Sequence, residues 1–340
     1  MKRMTNKLKP ILVLILLSFY FVSNAQDMQF TQFNAAPLYL NPGFTGSTIQ
    51  HRLATSYRNQ WTAIPGHFVN YVFSYDYNAS ELNSGIGFLF AREQAGTGNL
   101  GNTELALLYA YHFKINNKIY IQPGLKFNYI NRGVNFAKLV FNDQLARGGG
   151  GPSSDDIELN DANYLDISTG LLLYAPKFWF GMAFNHLNEP NQSLAANVNS
   201  PLYIKFSTHG GYKFGLTTNG NKRINSKYIN VTFHYKAQQK FDQLDLGLYY
   251  TQDPLVFGFW YRGIPILKSY ENVPNNDAFA IIVGYTISDY NLNIGYSYDA
   301  TISRLATNSA GSHEISLIYE IANKKKKRRR RKYFVPCAKF

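Results

Sequence analysis

The sequence predicts an all-β fold, an antiparallel transmembrane outer-membrane β-barrel of about 14 strands with a plug-like N-terminal segment. Three observations predict it. An export signal opens the chain, no later stretch is apolar for long enough to cross a bilayer as a helix, and the residues beyond 52 alternate apolar with polar at period two.

The export signal is read from Lys2, Arg3, Lys7 and Lys9, the apolar run Ile11 to Val22, and the small residues Ser23 and Ala25 ahead of Gln26. About a dozen apolar residues are too few for a permanent membrane helix, so cleavage after Ala25 is expected. The single cysteine, Cys337, stands at the other end of the chain. A lipid anchor after the cleavage point is therefore excluded, as is a disulfide-stapled module.

Aromatic residues make up 16% of the chain, with 26 Tyr and 25 Phe, and charged residues only another 16%. A soluble surface carries more charge than that. A barrel needs an apolar, aromatic-rimmed outside and a polar inside. The net charge of +13 suggests nucleic acid until it is located. Four basic residues lie in the signal peptide and ten in the tail from Lys324, leaving 20 basic against 21 acidic residues in the body. With export, that excludes a nucleic-acid partner.

The alternation is clearest where Val69, Tyr71, Phe73, Tyr75 and Tyr77 interleave with Asn70, Ser74 and Asp76. Leu105, Leu107, Tyr109 and Tyr111 repeat it against Glu104 and His112. One set faces lipid and the other the lumen. Strands are expected near 52–60, 67–78, 84–92, 103–115, 118–131, 164–174, 178–186, 202–213, 226–236, 241–250, 254–263, 277–287, 289–299 and 312–322. Turn residues such as Asn116-Asn117 and Ser288-Asp289 separate them. One longer connection, Asn135 to Asn163, carries Gly148 to Gly151 and several acids and is expected on the cell surface. The stretch Gln26 to Thr48 shows no alternation, and its Phe30, Phe33, Leu38 and Phe44 suit packing in the lumen or at the periplasmic mouth. The chain thus divides into a signal peptide (1–25), an N-terminal segment (26–49), the barrel (50–323) and a basic periplasmic tail (324–340).

No constellation points to catalysis or to a cofactor. The seven histidines, at 51, 67, 112, 186, 209, 234 and 313, form no metal-ligand spacing. A nucleophile elbow and a phosphate-binding loop are both missing, and Gly148 to Gly151 lacks the Lys-Ser/Thr that a phosphate cradle needs. No metal site is predicted.

An ordered set of short motifs carries a family likeness. It begins with Gln26-Asp27-Met28-Gln29-Phe30-Thr31-Gln32-Phe33, then Asn41-Pro42-Gly43 within Pro37 to Gly46, then Tyr57-Arg58-Asn59-Gln60-Trp61 and Pro65. It continues with Asp143-Gln144 in Val140 to Gln144, Asp166 to Tyr174, and Phe178 to Leu187 with His186. In this the chain resembles the PorP/SprF-like outer-membrane proteins of the type IX secretion system of Bacteroidetes. The resemblance implies a barrel working with the type IX translocon and its periplasmic components. In some members it implies reception of a secreted gliding adhesin through the adhesin's C-terminal signal domain. A diffusion or uptake porin is the competing reading, since a barrel does not fix a function.

The tail departs from that pattern. Lys324, Lys325, Lys326, Lys327, Arg328, Arg329, Arg330, Arg331 and Lys332 form nine consecutive basic residues, followed by Tyr333 and Phe334. Like charges keep such a run extended, and the aromatic pair beside it suits a periplasmic partner steered in by charge.

Overall fold

The computed structural model describes residues 27–135, 138–148, 160–195, 197–216, 227–270, 273–302, 309–321 and 335–337. The strands are β1 (His51–Gln60), β2 (Phe68–Ala79), β3 (Ser84–Ala95), β4 (Leu100–Tyr111), β5 (Phe113–Lys114), β6 (Tyr120–Gly133) and β7 (Ala162–Tyr174). They continue as β8 (Phe178–Asn185), β9 (Lys205–Gly215), β10 (Lys227–Gln238), β11 (Phe241–Gln252), β12 (Leu255–Tyr270), β13 (Val273–Ile287), β14 (Leu292–Thr301) and β15 (Ser312–Ile321).

Each long strand pairs antiparallel with its neighbours in the chain, and β1 pairs with β15 from His51↔Ile321 to Gln60↔Ser312, which closes the sheet. Closure leaves no unpaired edge, which a lipid-embedded sheet cannot afford. The expected fourteen strands are present, with one addition. The stretch read as a single strand from 103 to 115 breaks at His112, and the two-residue β5 continues it beside β6. At the break the inward His112 ring meets the Thr45 carbonyl oxygen, 3.0 Å from Nε2. β12 and β13 run several residues past their expected ends, and β14 starts at Leu292 because 288–291 form the turn.

Burial follows the period of two. Leu107 is 66% exposed and Leu108 is 2% exposed, and the same contrast runs through Phe127 and Lys126 and through Ile281 and Ile282. The outward set is apolar and aromatic, suiting lipid. The inward set includes Arg52, Arg58, Asp76, Lys126, Asp166, Asp245, Arg262, Asp299 and Glu314.

Connections differ between the two ends. The longest, 134–161 and 186–204, leave the far end, where β1 finishes, whereas the near end carries the tight 80–83, 175–177 and 288–291 together with 216–226, which is shorter than either. A short helix, Asn142–Ala146, lies in the first of these long connections. Residues 1–26, with the expected signal peptide, and 322–334, with the whole Lys324 to Phe334 tail, fall outside the described residues. Within the tail expected over 324–340, the described residues 335–337 are engaged by the chain itself. Val335 is buried in the hydrophobic cluster that holds Phe44 and Tyr249, and Cys337 packs against it.

Candidate functional site

Residues 27 to 48 run along the inward-facing wall from the far end to the near end, and the matched motifs meet there. Asp27 lies at the far mouth. Its carboxylate is 3.1 Å from His186 Nε2 and is also bonded by Lys205 Nζ, while His186 Nδ1 stands 3.1 Å from Asp166. Burial pushes the Asp27 carboxyl up, but Lys205 and His186 outweigh it and hold the group well below the usual carboxylate range. For His186, burial favours the neutral ring, yet Asp27 and Asp166 raise it to about 9.

One turn further in, Thr31 and Gln32 enter a cluster of buried charge. The Thr31 and Gln32 main-chain N–H groups donate to the two oxygens of Glu314 at 2.7 and 3.0 Å. Thr31 Oγ1 donates to Asp299 at 2.6 Å and accepts from Arg58 Nη1 at 2.6 Å. Arg58 pairs with Asp299 at 2.8 Å and Glu314 at 3.2 Å, and Arg262 joins Asp299 to Asp245 at 3.2 Å each. Gln32 completes the contact by bonding Ser297, Ser316 and the Glu314 carbonyl. Buried charges persist only when paired and hydrogen-bonded, and these are.

The middle of the segment is apolar. Phe33 meets Trp260 edge to face, 4.9 Å between ring centres, and Leu38 is fully buried. Pro37 opens a single helical turn, Pro37–Leu40, where its missing N–H costs nothing. Asn41 ends it. Its Nδ2 donates to the carbonyls of Leu171 and Met182 at 3.1 and 3.0 Å, and its Oδ1 accepts from Gly43 N at 2.7 Å.

The turn around Asn41, Pro42 and Gly43 lies against the wall so closely that inward glycines are required there. A Cβ on Gly170 would overlap Asn41 Oδ1, and one on Gly124 would overlap the Pro42 carbonyl. At the near end Gly46 N donates to Asp76 at 2.8 Å, Arg52 holds Asp76 through two bonds of 2.8 and 2.9 Å, and Thr48 Oγ1 reaches Glu320 at 2.9 Å.

The other motif residues occupy distinct places. Gln60 accepts from Arg58 Nε at 3.4 Å, and Tyr57 packs outward on Tyr71 with ring centres 5.1 Å apart. Asn59 pairs with His313 in the β1–β15 ladder, and Trp61, at φ 60°, donates its N–H to Gly311 at 2.8 Å. Asp143 and Gln144 lie instead in the helix Asn142–Ala146, where Asp143 pairs with Arg147 and Gln144 accepts the Phe141 N–H at 2.9 Å.

Asp299, Glu314 and the inward glycines Gly85 and Gly124 do as much in this contact as the residues that the motifs single out. The inward phase of the alternation was the signal for them. Chemically, the wall presents carboxylates to main-chain N–H groups and glycines to a bulky turn, which is how a peptide segment is held. Among the described residues, no group of three His, Cys, Asp or Glu is placed to hold a metal.

A family model described as type IX secretion system membrane protein PorP/SprF matches residues 22–319. No curated protein matches. Among solved structures, the chain is similar to the Acinetobacter baumannii outer membrane protein Omp33, with 7% identity and a TM-score of 0.44 over 82% of this chain and 100% of that one. It is also similar to the Ralstonia pickettii toluene transporter TbuX, with 11% identity and a TM-score of 0.46 over 85% and 94%. For the P. putida toluene transporter TodX the values are 8% and 0.41 over 83% and 93%. A closed barrel with an apolar outside, carrying the matched motifs in order, belongs to the PorP/SprF family of type IX secretion system membrane proteins and is an outer-membrane β-barrel.

Proposed function

We propose that this barrel is a non-catalytic component of the type IX secretion system that docks a specific surface protein with the translocon and helps to secrete or retain it. The cargo is a secreted adhesin recognised through its C-terminal signal domain, as the family membership suggests. In this reading the far end faces the cell exterior, because long connections of such barrels are extracellular and tight turns periplasmic. The signal peptide is removed after Ala25, and residues 27–48 act as a plug.

The observation that carries the reading is the contact that residues 27–48 make with the inward wall. The inward charges that a diffusion pore would offer to solutes, Asp76, Asp299 and Glu314 among them, are engaged by the chain's own N-terminal segment. A barrel whose inward charges are so engaged serves as a platform, with the connections 134–161 and 186–204 available to a cargo at the cell surface and the basic run Lys324 to Lys332 available to periplasmic components by charge.

The test is a deletion strain compared with its parent by protease shaving of intact cells and mass spectrometry of the released peptides. Loss of one type IX cargo from the surface, restored by the wild-type gene, is the expected result. Normal display of every such cargo would overturn the reading in favour of a porin.

A further inference from the structure

The inward phase of β9 and β10 brings two lysines together toward the far end of the barrel. Lys205 lies opposite Gln238 and Lys236 opposite Ser207, so the two stand one inward position apart on neighbouring strands. A cleft of about 470 Å³ separates them from the N-terminal segment. Phe30, Phe33 and Leu40 of that segment line one side, and Lys205, His234 and Lys236 line the other. No described carboxylate lines it.

Lys205 is matched from outside the cleft, by Asp27. Lys236 is not: among the described residues its ammonium has neither an ion pair nor a hydrogen bond. The acids closest in charge to it, Asp245 and Asp277, are held by Arg262 at 3.2 and 3.8 Å, and Asp245 also meets His234 Nδ1 at 3.6 Å. A half-buried ammonium without a partner, facing an apolar surface across a cleft, suits an anion that carries its own apolar body. The charged end completes Lys236, and the body takes the apolar side of the cleft out of water.

We propose that this cleft binds a small monocarboxylate with an apolar body, such as a short-chain fatty acid, with its oxygens on Lys236 and its hydrocarbon against Phe30, Phe33 and Leu40. A dianion fits less well, because Lys205 is already engaged by Asp27 and one ammonium is left to meet it. Met28, Tyr39, Asn185 and Lys205 also line a second cleft, which holds Asp27 at the far mouth, and this gives the ligand a route from that end.

The experiment is isothermal titration of the purified full-length protein in detergent with hexanoate, beside hexanol and beside the Lys236→Gln and Lys236→Arg variants. A saturable single site for hexanoate is expected in the wild type and in Lys236→Arg. Binding about tenfold weaker is expected in Lys236→Gln, as loss of one charge-assisted hydrogen bond brings. Hexanol, with the same body and no charge, is expected not to displace hexanoate. Absence of a saturable site in the wild type, equal affinity in Lys236→Gln, or displacement by hexanol at the same concentration overturns the proposal. If Lys236→Gln does not fold, hexanoate against hexanol on the wild type decides it. N-acetyl-Leu-Leu separates the two sources of such a carboxylate: binding tighter than that of hexanoate assigns the site to a peptide end, and weaker binding assigns it to a free acid.

Discussion

At the scale of single residues, the contact between the N-terminal segment and the wall depends on charges that cannot be left alone. Arg58 is 1% exposed and balances both Asp299 and Glu314. Replacing it by leucine strands those carboxylates and is expected to cost about 3–5 kcal/mol in a urea titration of the refolded barrel. Space is as strict as charge. Gly170→Ala puts a methyl group where Asn41 Oδ1 lies and is expected to weaken seating by about 1–3 kcal/mol. Cleavage of the N-terminal segment by added protease reads that loss, and Gly215→Ala, which meets nothing within 4 Å, is the control. The clamp at Asp27 has a pH window set by its two partners. The Asp27 carboxyl is depressed, so its contribution is present above the ordinary value of about 4 and is lost as pH falls below it. His186 is raised to about 9, so its contribution is full below about 6.5 and is lost as pH rises through 9. Protease sensitivity of residues 27–32 is expected to be lowest near pH 5 to 6 and to rise on both sides, about fivefold or more for each kcal/mol lost. A flat profile from pH 3 to 10 would remove Asp27 and His186 from the clamp.

Among the elements, the strands and the N-terminal segment differ in what holds them. Each strand is fixed by ladders to two neighbours, whereas residues 27–48 touch the barrel through side chains, caps and a few main-chain groups. Deleting residues 27–47 is therefore expected to leave a folded, heat-modifiable barrel and to open it. Single-channel recordings in planar bilayers check this, with the intact protein near baseline and the deletion conducting. Equal conductance from both would mean that the segment does not close the lumen. The same difference explains what the sequence made legible. A strand buried on one side and bathed in lipid on the other must alternate, so the fourteen long strands stand out, as does the inward phase that holds Arg58, Asp299 and Glu314. The N-terminal segment has no such period, because it packs on all sides, and alternation cannot say where it goes. The cue lay in its partner. Gly85, Gly124 and Gly170 all fall on the inward phase, and an inward glycine in a strand marks the close approach of another backbone. The meeting of His186 with Asp27 left no cue, since it joins a loop to a segment 159 residues away in the sequence.

For the whole molecule, the fold is a layered cylinder whose order is the reverse of a soluble protein's. Polar and charged groups lie inside, beside a buried apolar cluster, and apolar side chains point outward on every strand. The N-terminal segment packs against the inward wall, and Val335 adds to the same buried cluster near the end where Arg52 and Tyr249 stand. The outer layer contributes nothing to that interior. Its role is to match lipid, and a charge placed on it meets a medium that cannot solvate it. Leu107 and Leu108 separate the two roles within one strand, being 66% and 2% exposed. Leu107→Arg is expected to lose about 2–4 kcal/mol in phospholipid vesicles, because Leu107 lies well inside β4 and away from the interfaces. Leu108→Arg forces a long cation into the buried cluster that Leu108 shares with the N-terminal segment and is expected to cost as much by displacing that segment, so protease sensitivity of residues 27–32 should rise in that variant alone. If Leu107→Arg released the segment while Leu108→Arg left it in place, the outward and inward faces of β4 would have to be exchanged, and with them the register of the whole closed sheet.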